Sequence, residues 1–220
     1  MRINAEFSQR IVARAEEMEW SASPMAGVER KMLDRIGGEV ARATSLVRYA
    51  PESRFSAHRH GGGEEFLVLD GVFSDERGDY PAGTYVRNPI GSAHAPHSDR
   101  GCIIFVKLHQ FDPGDAVQLV VDTRQTAFQS GDAPGLSILP LHAFGAERVA
   151  LQRWAPGTRC GEQCHWGGEE ILVLEGVIRD EFGAYPAGTW IRNPHLFRHA
   201  PFSDSGCLVY VKTGHLIGLD

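Results

Sequence analysis

Residues 58–71 read HRHGGGEEFLVLDG, and the organisation of the rest of the chain follows from them. His58 and His60 are separated by one residue, which places both imidazoles on the same face of an extended strand, because side chains alternate with period two. Gly61, Gly62 and Gly63 then turn the chain, and Glu64 heads a second, apolar strand. This is the layout of a metal site carried on two adjacent strands. His94, in a similarly punctuated segment downstream, is the candidate to complete it.

The stretch occurs twice. Residues 51–107 match residues 156–212 at an offset of about 105, with roughly 30 identities and no gap. GGEEFLVLDG in the first copy answers GGEEILVLEG in the second, and Tyr80-Pro-Ala-Gly-Thr84 answers Tyr185-Pro-Ala-Gly-Thr189. Upstream the offset becomes about 108, with Trp20 on Phe128, Gly27 on Gly135, Val28 on Leu136 and Leu33 on Leu141. The second copy therefore lacks about three residues between Leu33 and Arg48. The duplication covers nearly the whole chain and predicts two domains, 1–110 and 111–220, with residues 109–116 as their junction.

Each copy reads as short strands and turns. Residues 8–14 and 119–123 are rich in β-branched residues, and 40–49 and 148–154 are further strands stopped by Pro51 and Pro156. Residues 66–69 and 171–174 are apolar on both faces, so both faces should be covered. Residues 103–108 and 208–212 close the copies. A helix over 13–20 is disfavoured by its match to the strand-like 121–128. Short strands at this spacing with no helical period indicate an all-β sandwich or barrel.

Composition sets outer bounds. A chain of 220 residues with 25 glycines and 12 prolines suits many strands joined by tight turns. A net charge of −6 argues against nucleic-acid or anionic-membrane partners, which demand a basic face. Neither a membrane-spanning run nor the apolar core of a secretory signal is present in the sequence, so a cytoplasmic protein is expected. Cys160 and Cys164 would lie roughly 13 Å apart on an extended segment at ~3.3 Å per residue, too far for a disulfide. Cys102 and Cys207 occupy matching apolar strands, and four free thiols are expected.

The spacing His58-x-His60-x3-Glu64-x6-Gly71, followed by Gly83-x5-Pro89-x-Gly91-x2-His94, resembles the two motifs of the cupins. It departs where the second motif usually ends in Asn and this chain has Ser98. The resemblance spans both copies and implies a bicupin, two tandem double-stranded β-helix (jelly-roll) barrels. It also implies one divalent metal held by His58, His60, Glu64 and His94. Three imidazoles and a carboxylate suit Zn(II) or Fe(II) foremost, with Mn(II) or Ni(II) as further candidates, and leave open positions on an octahedral ion. Glu65 points to the opposite face and is expected to be solvated or a cross-strand partner. In the second copy His165, Glu169 and His199 keep their places, but Gln163 replaces the first histidine. That predicts a weaker site, one of different metal preference, or an empty barrel. His97 is either a base or hydrogen-bond partner near the metal or a rim residue without a role. His109, His142, His195 and His215 have no counterparts and are expected to be surface or structural.

Further detail, with Asp75-Glu-x-Gly-x-Tyr80-Pro-Ala-Gly-Thr84, Arg87-Asn88-Pro89 and His94-Ala-Pro, is similar to the cupin-like domain of the ChrR anti-sigma factors. That family's cupin half binds zinc and takes part in responses to singlet oxygen and organic peroxides. Its sigma-binding half carries a His-x3-Cys-x2-Cys zinc core. Here no histidine precedes His58 and no cysteine precedes Cys102, so the sigma-binding domain is expected to be missing and sigma-factor binding is not carried over. A regulatory or stress-response metal module is the first functional expectation. The alternative, on a more general resemblance, is a non-haem Fe(II) dioxygenase that cleaves C–C bonds in diketones or hydroxyacetophenones. A small-molecule barrel with a structural metal is a third. No residue is assigned a catalytic role, a small-molecule ligand is expected, and pairing of sheet edges suggests a homodimer or compact monomer.

Overall fold

A computed structural model describes residues 1–219, and among these it is built of strands and turns with a single turn of 3-10 helix at Ala15–Glu17. The helix disfavoured over 13–20 is thus reduced to one turn. The chain divides into two compact units, residues 1–5 with 19–126 and residues 6–18 with 127–220.

In the first unit the main sheet runs Arg2–Ile3, Val28–Gly37, Ala41–Tyr49, Cys102–Leu108, Glu64–Asp75, Thr84–Asn88, Leu119–Asp122. Glu64–Asp75 shapes the barrel. Its first half pairs with Cys102–Leu108 and Thr84–Asn88, and its second half pairs with Gly78–Pro81 and with His97. The strand changes sheets at Gly71, which has φ +70 and where any Cβ would run into the Gly101 carbonyl. Only glycine meets both demands. Phe66, Leu67 and Val68 are all buried, so both faces are covered as their continuous apolarity requires. The inward face joins Val28, Val47, Tyr49, Phe73 and Ile104 in one apolar cluster. The outward-pleated Glu65 is nevertheless 1% exposed. It accepts hydrogen bonds from Tyr85 Oη at 2.6 Å and Arg87 Nη1 at 2.8 Å, and Arg87 also binds Asp115. Of its two expected fates, Glu65 is the cross-strand partner.

The second unit repeats this order with Gln129–Ser130, Leu136–Phe144, Glu147–Trp154, Cys207–Thr213, Glu169–Asp180, Thr189–Asn193, Ile11–Arg14. The outer strand here comes from the N-terminal part of the chain, and the outer strand of the first unit, Leu119–Asp122, comes from the start of the second repeat. The division expected at 110/111 therefore differs from the compact units in two segments. Residues 6–18 pack with the second unit and residues 111–126 with the first. Backbone pairing decides this. The N–H and C=O groups of Thr84–Asn88 and Thr189–Asn193 each find their second partner in a strand of the other repeat.

The missing residues of the second copy lie in one hairpin turn. Ile36 faces Arg42 across residues 37–41, whereas Phe144 faces Glu147 across residues 145–146. The four cysteines are free. No helix among the described residues is long and apolar enough to cross a membrane.

Candidate metal centre

The candidate ligands of the first barrel arrive from two paired strands and the head of a third. His58–Arg59 pairs with Ala93–His94, which sets His94 directly opposite His58. His60 is fixed by its backbone, its N–H donating to the Ser92 carbonyl at 2.9 Å and its carbonyl accepting from Gly91 at 2.8 Å. The turn that brings Glu64 under the histidines needs glycine at position 63. Its φ is +76 and a Cβ there would strike the Phe111 ring.

The four side chains converge. One ligand atom from each of His58, His60, Glu64 and His94 lies within 4.8 Å of all the others. The ring centroids stand 5.0 Å (His58–His60), 4.9 Å (His58–His94) and 4.7 Å (His60–His94) apart, and all three pairs are steeply inclined. Glu64 Oε1 is 3.4 Å from His94 Nε2 and 3.7 Å from His60 Nε2.

Neighbouring groups set which ring nitrogen is free. His58 Nδ1 is 3.0 Å from the Ser56 carbonyl and His94 Nδ1 is 3.2 Å from Asp75 Oδ2, so each Nδ1–H donates outward and leaves Nε2 as a lone-pair donor. Asn88 donates to Glu64 Oε1 at 3.2 Å and orients the carboxylate. Asp75 and Asn88 were not singled out as site residues from the sequence. Their signal was there, since both recur in the second copy as Asp180 and Asn193.

This donor set fits a divalent cation. His60 Nε2 and His94 Nε2 are buried and have no hydrogen-bond partner, an arrangement that costs free energy unless something electrophilic sits between them. Burial, then the charges of His94 and His58, push His60 down to about 3, so its imidazole is neutral and able to ligate. Burial, and to a lesser degree Asp75, push the Glu64 carboxyl up to about 7 against the opposing bond from Asn88. A divalent ion would offset that burial cost, as cations do wherever carboxylates are desolvated.

A cavity of about 460 Å³ opens beside these residues and is lined by His58, His60 and Glu64 together with apolar side chains such as Met25, Val47, Tyr49 and Phe55. His109, expected to be a surface or structural residue, also lines it. His97 does not; it sits opposite Arg54 and Ser74 on a short strand. Arg87, of the repeated Arg-Asn-Pro, is 0% exposed and committed to Glu65 and Asp115.

The second barrel keeps the scaffold and changes the centre. His165, Glu169 and His199 come together, with Gln163 opposite His199 as His58 is opposite His94. Here His165 Nε2 lies 2.8 Å from His199 Nε2. Since His199 Nδ1 faces Asp180 Oδ2 at 3.2 Å, His165 donates its Nε2 proton to His199, and the two rings satisfy each other. Arg10, from the N-terminal segment of the same unit, reaches in as well. It donates to Asp180 at 2.7 Å, to Asn193 Oδ1 at 2.8 Å and to Tyr185 Oη at 3.0 Å, and its guanidinium lies over the rings of Phe182 and Phe197. Burial alone would raise the Asp180 carboxyl, but bonds from His199 and Tyr185 and the charge of Arg10 hold it low. The cavity at this centre is only about 10 Å³. Of the other unmatched histidines, His195 accepts a backbone hydrogen bond from Gly167 at 2.9 Å, His142 is buried, and His215 lies 3.2 Å from Glu170.

A family model of the ChrR cupin-like domain matches the chain twice, over residues 8–112 and 116–217. No curated protein matches the chain. Among solved structures, a candidate dioxygenase of Nostoc punctiforme superposes with a TM-score of 0.81 at 14% identity, over 98% of this chain and 88% of that one. A protein of Pseudomonas aeruginosa described as a candidate glyoxylate-induced protein does so at 0.75 and 14% identity, over 93% and 88%. A variant of Bacillus subtilis oxalate decarboxylase follows at 0.62 and 13% identity, over 92% and 76%. At such identities these likenesses are of fold.

Proposed function

This chain belongs to the ChrR cupin-like domain family, and on that footing we propose that its first barrel is a divalent-metal centre acting on a small organic molecule, with oxidative cleavage by a non-haem dioxygenase as the reaction class. The single observation that carries this reading is the juxtaposition of the four-residue ligand cluster with a cavity of about 460 Å³. That volume lies within the range of small-molecule sites, roughly 300–1,000 Å³.

In this reading Nε2 of His58, His60 and His94 and a carboxylate oxygen of Glu64 hold the ion. Iron there would supply redox chemistry with oxygen, and zinc would supply Lewis acidity alone. The chain's own contributions are positional. Asp75 keeps His94 in the tautomer that presents Nε2, and Asn88 keeps Glu64 aimed at the histidines. The wall of Met25, Val47, Tyr49 and Phe55 excludes water and orients an apolar substrate body. The second reading, a regulatory module that senses through the same cluster, is favoured by the family match over both halves.

Metal analysis of protein purified without chelator tests the shared part, with about one equivalent or more per chain expected and none overturning both readings. The two then separate on oxygen consumption by the iron-loaded protein across a panel of β-diketones and hydroxyacetophenones. Turnover supports the dioxygenase, and silence across the panel leaves the regulatory module.

A further inference from the structure

The cavity of the first barrel has a second polar feature, away from the ligand cluster. On the strand Val28–Gly37, Glu29 pairs outward with Arg48 and Lys31 stacks on Trp20 with Nζ 4.7 Å from the ring centroid. Period two then turns Val28 and Arg30 inward, and Arg30 sits opposite the core residue Val47 and lines the cavity. Its guanidinium is only thinly compensated. Arg30 Nε is buried without a hydrogen-bond partner, and Arg30 Nη1 has one long contact, 3.4 Å, to the exposed Glu39. The buried Nε of this partly exposed side chain is a donor left without an acceptor, which an arriving anion would supply. Arg35, also on the cavity wall, is otherwise engaged, bonding the carbonyls of Gly38 and Glu39 and so holding the turn that carries Glu39.

The duplication supplies a control within the chain. The second copy has Ile138 where the first has Arg30, and Ala143 where the first has Arg35, and its hairpin turn is shortened to residues 145–146. Ile138 packs on the apolar core, and the cavity beside Asp180 and His199 in that barrel is about 10 Å³. The inward arginine and the longer turn stand together beside the cavity of the first copy, and both are absent from the second.

We infer that the cavity takes a small organic acid, with the carboxylate held by Arg30 and an apolar body lying along Met25, Val28, Phe55 and Ile104 toward the ligand cluster. A planar guanidinium edge matches the two oxygens of a carboxylate. A phosphate dianion would need more donors than the one free guanidinium edge, since Arg35 and Arg59, also on the cavity wall, are bonded to backbone carbonyls. The inference deepens the metal-centre reading by naming the substrate class, and it rests on that reading.

The test is calorimetric titration of the full chain, metal-loaded and chelator-treated, with 3-phenylpropanoate and hexanoate, their primary amides, and phenyl phosphate. The acids should bind at least tenfold more tightly than the amides and more tightly than phenyl phosphate. Arg30→Met should weaken the acids tenfold or more while retaining the wild-type metal content. Glu39→Gln, a change at an exposed carboxylate that cannot unfold the barrel, should tighten them severalfold by freeing Arg30. Equal binding of acid and amide, preference for the phosphate, or an Arg30→Met variant with unchanged acid affinity would each overturn the proposal; the last would put the carboxylate on the metal ligands instead. Protein that never holds metal yet prefers acids through Arg30 would overturn the metal-centre reading alone. Metal-loaded protein that binds no acid would overturn this one alone.

Discussion

The two barrels share strand order, the kink at Gly71 and Gly176, the buried arginines Arg87 and Arg192, and a carboxylate that fixes the second-motif histidine. They part company at the centre. In the first barrel the Nε2 atoms of His60 and His94 are buried and unpartnered beside a cavity of about 460 Å³. In the second, His165 and His199 bond to each other at 2.8 Å and Arg10 supplies a fixed positive charge on Asp180, beside a cavity of about 10 Å³. The lesson is that the scaffold's needs and the site's needs are separable. One copy places an arginine against its buried histidine–carboxylate cluster, and the other has Gln118 at the arginine's place.

The comparison can be broken most severely where the halves agree. Arg87→Met strands Glu65 and Asp115 as uncompensated buried charges, and should cost about 3–5 kcal/mol in denaturant unfolding. Arg192→Met removes the bond to the Glu6 carbonyl and the stacking on Phe7, and should also destabilise the second unit; indifference there would show that the halves are not built on the same plan. Next comes the step where they differ. His60→Ala should lower first-barrel metal affinity by about a hundredfold or more, whereas His165→Ala should leave the tight equivalent in place, as read by metal analysis.

Arg10→Gln sharpens the contrast, because Gln118 holds the corresponding place in the first unit and lies 3.4 Å from Asn88. The variant should lose about 2 kcal/mol, less than a fully buried pair because Arg10 is partly exposed, and should gain metal uptake at the second centre. A second centre still without metal would mean that Gln163, rather than Arg10, disables it. Asn88→Ala should weaken metal binding by about tenfold through loss of the hydrogen bond to Glu64, without changing stoichiometry. The smallest effect is expected at Leu196, which stands where the first copy has Gly91 and keeps the left-handed φ of +62. Leu196→Gly should stabilise the protein by about 0.5 kcal/mol, strain relief being partly offset by backbone entropy.

Much of this was legible in the residues themselves. The repeat follows from self-similarity and the strand-and-turn class from period-two alternation and the spacing of turns, while the grouping of His58, His60, Glu64 and His94 was implied by the resemblance to the cupin motifs. The second-copy departure at Gln163 was legible too, but its consequence was not. The residue that reaches Asp180 at that centre is Arg10, 170 positions away along the chain.

The sequence by itself determined that the chain is duplicated, all-β and carries the four candidate ligands His58, His60, Glu64 and His94 in one copy. The tertiary structure alone decided that Ile11–Arg14 and Leu119–Asp122 complete barrels formed mainly by the other repeat, that Asp75 and Asn88 aim the ligands, and that Arg30 faces a cavity while Ile138 fills a core. The reason is physical. Alternation tells which side of a strand a residue takes, but the strand's partner depends on unpaired backbone groups far along the chain. The resting place of a long guanidinium depends in turn on what space and charge the packed barrel leaves for it.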